Sequence, residues 1–512
     1  MGTKKFGFIG PTPLPLLGNL LELRKEMPEQ CFLRWRRKYG KIFTIWFGEQ
    51  PQICITDYSK IMETFQKDGE TYSGRFRFEE FDKIIKGGSY GIIMMDGDLW
   101  REQRRFALQI FRDFGLGKNL MQNKERVGEF HKLKNILNYM LDNGFSPIMV
   151  LMQWWPNIRY LPFFKNYFNE FKEVEKQFSD FHENQIKEHL NSINSPPTDF
   201  VEAFLLEKQQ RDTTGKQHDF TIEQLKGVIS DLWFAGQETT STTLTWGIAF
   251  LINNPNIQFK VHKELDLIIG DIDKIITTSD RPSLPYLNAL INEIQRMANL
   301  LPLNVFHTLT KDVVIDGYFL SKGTVIVPQI SAILADGEIF KNPEEFNPER
   351  FLDENGKLKK VDELIPFSVG KRQCLGESLA RMELFLFIGN LLNKYNFLPG
   401  KEGIPSLKRY YGGTARCTKF LYLEILFKKK IFSNIFQKSQ NHKYVLLDVF
   451  LKEIFKEIKS FPRGDKLSSK SLKQEKSYDH KLPPEKKKDI PSKIYFIKRN
   501  FKAFKDLIKK NN

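Results

Sequence analysis

The residues best able to do chemistry lie in the stretch PFSVGKRQCLG, residues 366–376. Cys374 is one of four cysteines in 512 residues, and it comes directly before a predicted helix. A helix N-terminus and the nearby Arg372 would both favour a thiolate. That setting suits a nucleophile, a soft-metal ligand or a buried structural cysteine. Zinc is disfavoured because no further Cys or His occurs at local spacing.

A thiolate bound to haem iron would account for the neighbours of Cys374 as well. Gly370 and Gly376 would let the backbone approach a flat macrocycle. Arg372 would pair with a haem propionate, and Phe367 would pack near the sulfur and exclude water. Backbone N–H groups at the helix start would hydrogen-bond the sulfur and tune the iron.

The stretch resembles the haem-binding signature of the cytochrome P-450 monooxygenases, Phe-x-x-Gly-x-Arg-x-Cys-x-Gly, and every fixed position is present. Segments such as PLPLLGNL and ARMELFLF resemble the animal microsomal branch, closest to invertebrate and nematode members. Further short motifs follow in the family's order. They are WREQR (Trp100, Arg104), AGQETT (Ala235, Gly236, Glu238, Thr239), NEIQR (Glu293, Arg296), His307 and NPERF (Arg350).

The resemblance implies a role for each of these residues. Trp100, Arg104 and His307 would contact haem propionates, and Ala235 and Gly236 would lie against the haem. Thr239 would hold a proton-relay water, Glu238 would help deliver protons, and the central helix would be locally opened at this point. Glu293, Arg296 and Arg350 would form a structural network.

The resemblance also implies cofactors and partners. Haem b would be held by Cys374, and NADPH would act indirectly through a cytochrome P-450 reductase, with cytochrome b5 as a further donor. The reaction would insert one atom of O2 into a small apolar substrate of the xenobiotic, steroid or fatty-acid class. Substrate-facing positions would be the 74–98 loop, Trp233, Phe234, Ala235, Leu303, Val305 and the 411–415 turn. Trp100, Arg101, Arg104 and Arg105 would also form a basic face for the reductase.

The elements that must position these residues are mostly helices. Residues 221–255 form the longest helical pattern, with Thr221 as N-cap and Gln224 at the capping-box position. Helices are also predicted within 280–302 and over 377–395. A hairpin over 41–57 and short strands over 311–328 supply a minor sheet. The expected fold is mainly α with a minor β region, the cytochrome P-450 fold, with haem between the central helix and the Cys-bearing loop and helix.

Charge separates the chain into two predicted regions. Residues 428–512 hold 24 Lys+Arg and 9 Asp+Glu, a net of +15, whereas residues 1–427 hold 54 and 53, a net of +1. Residues 1–427 are therefore the predicted monooxygenase domain, and 428–512 a basic tail, partly disordered or amphipathic-helical. The near-neutral body argues against nucleic-acid binding. A tail that bound polyanions would be the weaker exception.

The chain departs from the family pattern at three places. No apolar run is long enough to span a bilayer, although the family's microsomal members begin with an anchor. Trp100 and Thr239 are 139 residues apart, which is short by one or two helices, and the basic tail has no family counterpart. The expected location is the cytoplasmic face of the endoplasmic reticulum membrane, or the cytoplasm. A diverged, non-catalytic relative that binds haem or serves as a scaffold is the alternative function.

Overall fold

The computed structural model describes residues 9–113, 124–144, 146–191, 193–401, 403–411, 415–416, 422–427 and 443–446. Helices dominate this part of the chain, and the strands form a few small sheets. The predicted fold class, mainly α with a minor β region, is confirmed.

The helices of the described residues follow one another along the chain. They are α1 (Leu20–Lys25), α2 (Pro28–Tyr39), α3 (Tyr58–Ile61), α4 (Glu79–Lys86), α5 (Gly97–Asp113), α6 (Lys124–Gly144), α7 (Pro147–Trp154), α8 (Pro162–Leu190), α9 (Phe200–Asp212), α10 (Ile222–Asn253), α11 (Pro255–Ile268), α12 (Pro285–Ala298), α13 (Ile330–Leu334) and α14 (Glu377–Lys394).

The largest described sheet has five strands in the order β1-β2-β7-β4-β3, and only the β2–β7 pair is parallel. The strands are β1 (Ile42–Phe47), β2 (Gln50–Ile55), β3 (Gly74–Arg75), β4 (His307–Thr308), β5 (Val313–Ile315), β6 (Tyr318–Leu320), β7 (Val325–Pro328), β8 (Tyr395–Pro399), β9 (Tyr410–Tyr411), β10 (Ala415–Arg416), β11 (Tyr422–Phe427) and β12 (Lys443–Leu446). The predicted hairpin is β1–β2.

The central helix α10 begins where the sequence predicts. Thr221 is its N-cap, and the Thr221 hydroxyl accepts a hydrogen bond from the Gln224 backbone N–H at 3.1 Å. The Gln224 side chain does not complete the capping box, because it bonds instead to the backbone of Gly91. The predicted local opening of α10 is wrong: the helix is continuous over all 32 residues.

The main apolar core lies where α10, α11, α12 and α14 pack together. It includes Trp246 and Phe250 of α10, Leu287 and Ile294 of α12, and Phe385 of α14, all at most 2% exposed. Burial of such side chains contributes about 1.5–3 kcal/mol each. This core holds α10 in a fixed relation to α14, the helix that begins just after Cys374.

The region between Trp100 and Thr239, which is predicted to be short, covers α10. Helices α8 and α9 pack on α10, and α5 packs on α9. A second apolar cluster joins Trp100 and Ala107 of α5, Phe204 of α9, and Leu225 and Val228 of α10. The beginning of α10 is therefore buried against α5 and α9.

Part of the predicted tail is described. Strand β12 pairs antiparallel with β11, which pairs on its other edge with β8. Four residues beyond the predicted boundary at 427/428 thus share a sheet with the body of the chain. The boundary itself stays a prediction, and the two predicted amphipathic segments of the tail lie outside the described residues, apart from residues 444–446 at the end of β12.

We find no helix in the described ranges that combines the length and the apolar character needed to cross a membrane.

Candidate functional site

Cys374 lies between a short 3-10 turn (Gly370–Arg372) and the start of α14. Its backbone N–H donates to the carbonyl of Phe367 at 3.0 Å, which closes the loop. Burial raises the pKa of the thiol, while the N–H of Gly376 donates to the sulfur and opposes that rise. The Cys374 side chain is nevertheless exposed. A thiol that is both desolvated and exposed borders an open space inside the protein.

A cavity in this region lies between α10, the chain that follows α12, and α14. Thr239 and Thr243 line it from α10, Leu300 and Leu301 from the chain after α12, and Ala380 from α14. Phe367 of the Cys374 loop also contributes to the lining. The cavity therefore connects the central helix to the loop that carries the thiol.

Three arginines and a histidine converge beside this loop, and we call Arg75, Arg104, His307 and Arg372 the cationic cluster. The guanidinium of Arg372 stacks on the Trp100 ring at 3.6 Å, and that of Arg104 lies 5.8 Å from the same ring. The predicted positions Trp100, Arg104, His307 and Arg372 are thus brought together.

Arg75 belongs to this cluster, although no sequence motif marks it as a site residue. It is the cross-strand partner of His307 in the β3–β4 pair. Its guanidinium donates to the carbonyls of Ile93 at 3.1 Å and Phe306 at 3.3 Å. The sequence does show an arginine beside Gly74 at the start of the predicted substrate-facing loop 74–98. No feature of the neighbouring sequence indicates that this arginine lies next to His307.

Keeping the buried arginines of the cationic cluster charged is energetically unfavourable. Burial and the neighbouring guanidinium groups depress the pKa of Arg372 to about 8 and that of Arg75 to about 9. Since arginine stays protonated in proteins, these shifts measure the penalty of keeping the charge. In the described part of the chain, no carboxylate forms an ion pair with the guanidinium of Arg75, Arg104 or Arg372. Asp96 is the nearby acid that offsets the penalty.

These features fit a haem. A ligand with two carboxylates would supply the anions that the cationic cluster lacks, and a thiol beside an internal space would supply an iron ligand. His307 adds a constraint: its Nδ1 lies 2.7 Å from the carbonyl of Tyr72, so Nδ1 carries the hydrogen. Donation from Nε2 to a carboxylate therefore needs the protonated ring, and burial holds the His307 pKa well below its usual value.

The two glycines of the Cys374 loop, Gly370 and Gly376, have different surroundings. Gly370 has a positive φ of 78°, and an added Cβ would clash with the backbone of Phe65. Gly370 therefore approaches the chain itself closely at this point, and its predicted approach to a macrocycle stays a prediction. At Gly376 an added Cβ would meet nothing within 4 Å, because the space there is open. The Phe367 ring lies 4.9 Å from the guanidinium of Arg381.

The residues of AGQETT lie on α10 at the cavity. The Thr239 hydroxyl donates to the Ala235 carbonyl at 2.7 Å, and Ala235 and Gly236 are half-buried. Glu238 is buried, and one carboxylate oxygen accepts from the Thr242 hydroxyl at 3.2 Å. Thr242 was not predicted, and it is a candidate partner of Glu238.

The Glu293, Arg296 and Arg350 network is present as predicted. Both carboxylate oxygens of Glu293 accept from Arg296, at 2.7 and 2.8 Å, and Arg350 donates to the same carboxylate at 3.1 Å. Arg296 also donates to the carbonyls of Leu334 at 3.0 Å and Pro343 at 2.8 Å. The network ties α12 to the chain that leads toward the Cys374 loop.

The predicted substrate-facing residues differ in their surroundings. Trp233 packs with Phe178 and Phe181 of α8 in an apolar cluster, so it is part of the packing between α8 and α10. Leu303 packs against the α2 and β1 core, whereas Phe234 and Val305 are half-buried. Within the 411–415 turn, positions 412–414 lie outside the described residues.

On the predicted reductase face, Arg101 and Arg105 are exposed on α5, and Arg101 is paired with Glu70 and Asp98.

Known proteins are similar to this chain over most of its length. The family model Cytochrome P450 matches residues 9–131 and 116–419, and the two matched segments overlap over residues 116–131. Cytochrome P450 2C3 of Oryctolagus cuniculus is 34% identical over 437 residues, which cover 76% of this chain and 88% of the relative. Cytochrome P450 2G1 of Rattus norvegicus is 34% identical over 433 residues (76% and 86%). Cytochrome P450 2H2 of Gallus gallus is 35% identical over 437 residues (77% and 88%).

Proposed function

This chain belongs to the cytochrome P450 family of haem-dependent monooxygenases, and from that premise we propose what it oxidises and with which partner. The substrate is a small apolar molecule of the xenobiotic, steroid or fatty-acid class. The electrons come from an NADPH-dependent cytochrome P-450 reductase, with cytochrome b5 as a second donor.

One observation carries the assignment of the site. A desolvated thiol borders an internal space, and beside it three buried guanidinium groups have no carboxylate of their own in the described residues. Cys374 would therefore hold the haem iron. Arg75, Arg104, Arg372 and, when protonated, His307 would hold the propionates. Bound haem supplies the activation of O2 and the transfer of one oxygen atom to a C–H bond.

Residues around the haem site would stabilise the charge on the sulfur and deliver protons. The Gly376 N–H donates to the Cys374 sulfur and stabilises its negative charge. The Thr239 hydroxyl donates its hydrogen to the Ala235 carbonyl. The hydroxyl oxygen can therefore only accept a hydrogen bond from a water in the cavity. Glu238, held by Thr242, is the acid that would pass a proton toward that water.

The location and docking follow from the family. We assign the chain to the cytoplasmic face of the endoplasmic reticulum membrane, with the membrane surface as a contact. Arg105, exposed on α5 beside the cationic cluster, is the position where an acidic reductase would dock.

The test is reconstitution of the full chain with haem and reductase. We expect the reduced carbon-monoxide difference spectrum to show the long-wavelength Soret band of thiolate-ligated haem, and NADPH-dependent product from a panel of apolar substrates. A folded protein that binds haem but forms neither the band nor any product would favour the non-catalytic alternative.

Replacing Arg372 by glutamine should separate cofactor binding from folding. The loss of a charged donor to a propionate weakens haem binding by about 1.5–3 kcal/mol, roughly tenfold to a hundredfold in affinity. The haem-free protein should keep a stability close to that of the parent, because the removal of one of three mutually repelling buried cations offsets the loss of the hydrogen bonds from Arg372 to the carbonyls of Ser73 and Met95. Haem titration and thermal unfolding without haem measure the two effects. The exposed Arg37→Gln on α2 is the control, and equal haem affinities for the two variants would contradict the assignment.

A further inference from the structure

The Cys374 loop rests on residues that lie far from it in the sequence, and we call these residues, 62–73, the support segment. The segment begins with an uncommon element, a π-helix over Met62–Lys67 that follows α3 directly. π-Helices are rare, and they occur often at functional sites. This one contacts the short 3-10 turn Gly370–Arg372. The support segment therefore adjoins the loop that carries the thiol.

Thr64 gives a local reason for the π-helix. Its hydroxyl donates to the Lys60 carbonyl at 2.6 Å and lies 3.4 Å from the Ile61 carbonyl. A hydroxyl that bonds to the carbonyl one turn earlier competes with the backbone hydrogen bonds and distorts the helix. The next two residues, Phe65 and Gln66, are the ones that meet the Cys374 loop.

Gln66 caps the turn that leads to Cys374. Its Oε1 accepts a hydrogen bond from the Gly370 N–H at 2.8 Å. Gly370 is the first residue of the 3-10 turn, and N–H groups at the start of a helical turn have no acceptor inside that turn. The side chain at the N-cap position, Val369, makes no capping hydrogen bond. An amide from a distant part of the chain therefore replaces the usual capping side chain.

The backbone of the support segment also lies close to the same turn. An added Cβ at Gly370 would lie 1.8 Å from the Phe65 carbonyl oxygen, and one at Gly69 would lie 3.3 Å from the Lys371 nitrogen. Both glycines thus allow two backbones to approach closely. The turn can move away from the support segment but not toward it, and the hydrogen bond from Gly370 to Gln66 opposes that movement.

The support segment holds the turn at a second point. The Arg372 guanidinium donates to the Ser73 carbonyl at 2.6 Å, near the other end of the segment. Gly370 and Arg372 are the first and last residues of the 3-10 turn. Both ends of the turn are therefore attached to one short stretch of chain.

The same stretch holds the histidine of the cationic cluster. The Tyr72 carbonyl accepts from Nδ1 of His307 at 2.7 Å. The Phe65 ring lies edge-on to the His307 ring, with 5.0 Å between the ring centres. The support segment therefore fixes the Cys374 loop and the cationic cluster relative to each other.

A shift of Gly370 would be passed on to Cys374. The Gly370 carbonyl accepts from the Gln373 N–H at 3.1 Å, one residue before the cysteine. The Cys374 N–H in turn donates to the Phe367 carbonyl at 3.0 Å. Only four residues separate Gly370 from Cys374, so the capped end of the turn and the thiol belong to one closed loop.

We infer that Gln66 is a positioning residue for the haem ligand Cys374, because its amide caps the turn from which the cysteine follows and so keeps the loop in its ligand-binding form. The inference rests on the proposed function. The Gln66 side chain is exposed, so its hydrogen bond contributes little to the stability of the whole fold. Its effect is confined to the Cys374 loop.

The experiment uses the full chain loaded with haem, and Gln66→Leu, which removes the acceptor and keeps a side chain of similar size. In moderate urea, the long-wavelength thiolate band of the reduced carbon-monoxide complex should decay about threefold to tenfold faster than in the parent, because an uncapped turn opens more often. Exchange of the Gly370 amide hydrogen should accelerate by a similar factor. The urea midpoint of the haem-free protein should stay close to that of the parent.

Two further variants make the test specific. Gln66→Glu keeps an acceptor oxygen in the same place, so its thiolate band should decay at the parent rate and its Gly370 amide should exchange at the parent rate. Lys67→Leu places a leucine at the next exposed position of the same π-helix. We expect this matched control to leave both rates unchanged.

Equal band decay and equal Gly370 exchange in Gln66→Leu and Lys67→Leu would overturn the inference. It would also be overturned by a Gln66→Glu protein that loses the band as fast as Gln66→Leu, since the acceptor would then have no effect. Failure of the proposed function looks different, because the parent itself would show no thiolate band. Exchange of the Gly370 amide decides in that case, and acceleration in Gln66→Leu with recovery in Gln66→Glu would support the positioning of the loop by Gln66.

Discussion

Replacing Cys374 by serine removes the long-wavelength thiolate band and reduces monooxygenase turnover to background. A serine oxygen at this position stays a neutral alcohol at neutral pH, whereas the thiolate is the soft, charged ligand that favours O–O cleavage. The fold should survive, because the loop is closed by the Cys374 backbone N–H and the Phe367 carbonyl, which the substitution leaves intact. The side chain itself faces open space.

The measurement is the reduced carbon-monoxide spectrum together with bound haem per chain. Cys31→Ser is the matched control, because the Cys31 thiol is buried and donates to Glu26 at 3.1 Å, a hydrogen bond that a hydroxyl can keep. The control should retain the band and the turnover. A Cys374→Ser protein with an undiminished thiolate band would show that another group holds the iron.

Replacing Glu293 by leucine should have the largest effect on stability. Glu293 is 0% exposed and is the carboxylate to which Arg296, itself 2% exposed, and Arg350 both donate. Removal of one partner from a buried ion pair leaves an uncompensated charge and costs about 3–5 kcal/mol. That is a large part of the 5–15 kcal/mol, roughly, that keeps a typical protein folded. We expect little soluble protein, and a strongly lowered free energy of unfolding in what is recovered.

Urea unfolding followed by circular dichroism measures this effect. Glu349→Gln is the matched control, since Glu349 pairs with Lys260 at a surface where both side chains are half exposed, and such pairs contribute about 1 kcal/mol or less. Glu293→Gln keeps one acceptor for Arg296. Its free energy of unfolding should lie between those of Glu293→Leu and Glu349→Gln. If Glu293→Leu unfolds at the same urea concentration as Glu349→Gln, the network does not stabilise the fold.

Local motifs were the most reliable part of the sequence. The Cys374 loop before α14, the N-cap at Thr221 and the pairing of Glu293 with Arg296 are all found as predicted. Each depends on residues within one turn of helix or one short loop. At that range the backbone geometry alone brings the partners together.

Two contacts between residues far apart in the sequence were not predicted. Gly370 approaches the Phe65 carbonyl, 305 residues away in the chain, a contact that the motif did not indicate. Gln224 bonds to Gly91 and not to its own helix end. In both cases several partners would satisfy the same group, and spacing within the motif does not choose among them.

What the sequence by itself determined is the chemistry: a thiolate before a helix, a hydroxyl and an acid in consecutive positions on a long helix, and a buried ion-pair network. The tertiary structure alone decided which cations accompany the thiolate and where residues 90–96 lie. Arg75 joins the cluster because the β3–β4 pair sets it opposite His307, 232 positions further along the chain. Residues 90 and 91 lie against α10 because Gly227 has no side chain there to displace them. Such contacts depend on how separate elements pack, and packing selects one arrangement from many that are locally equivalent.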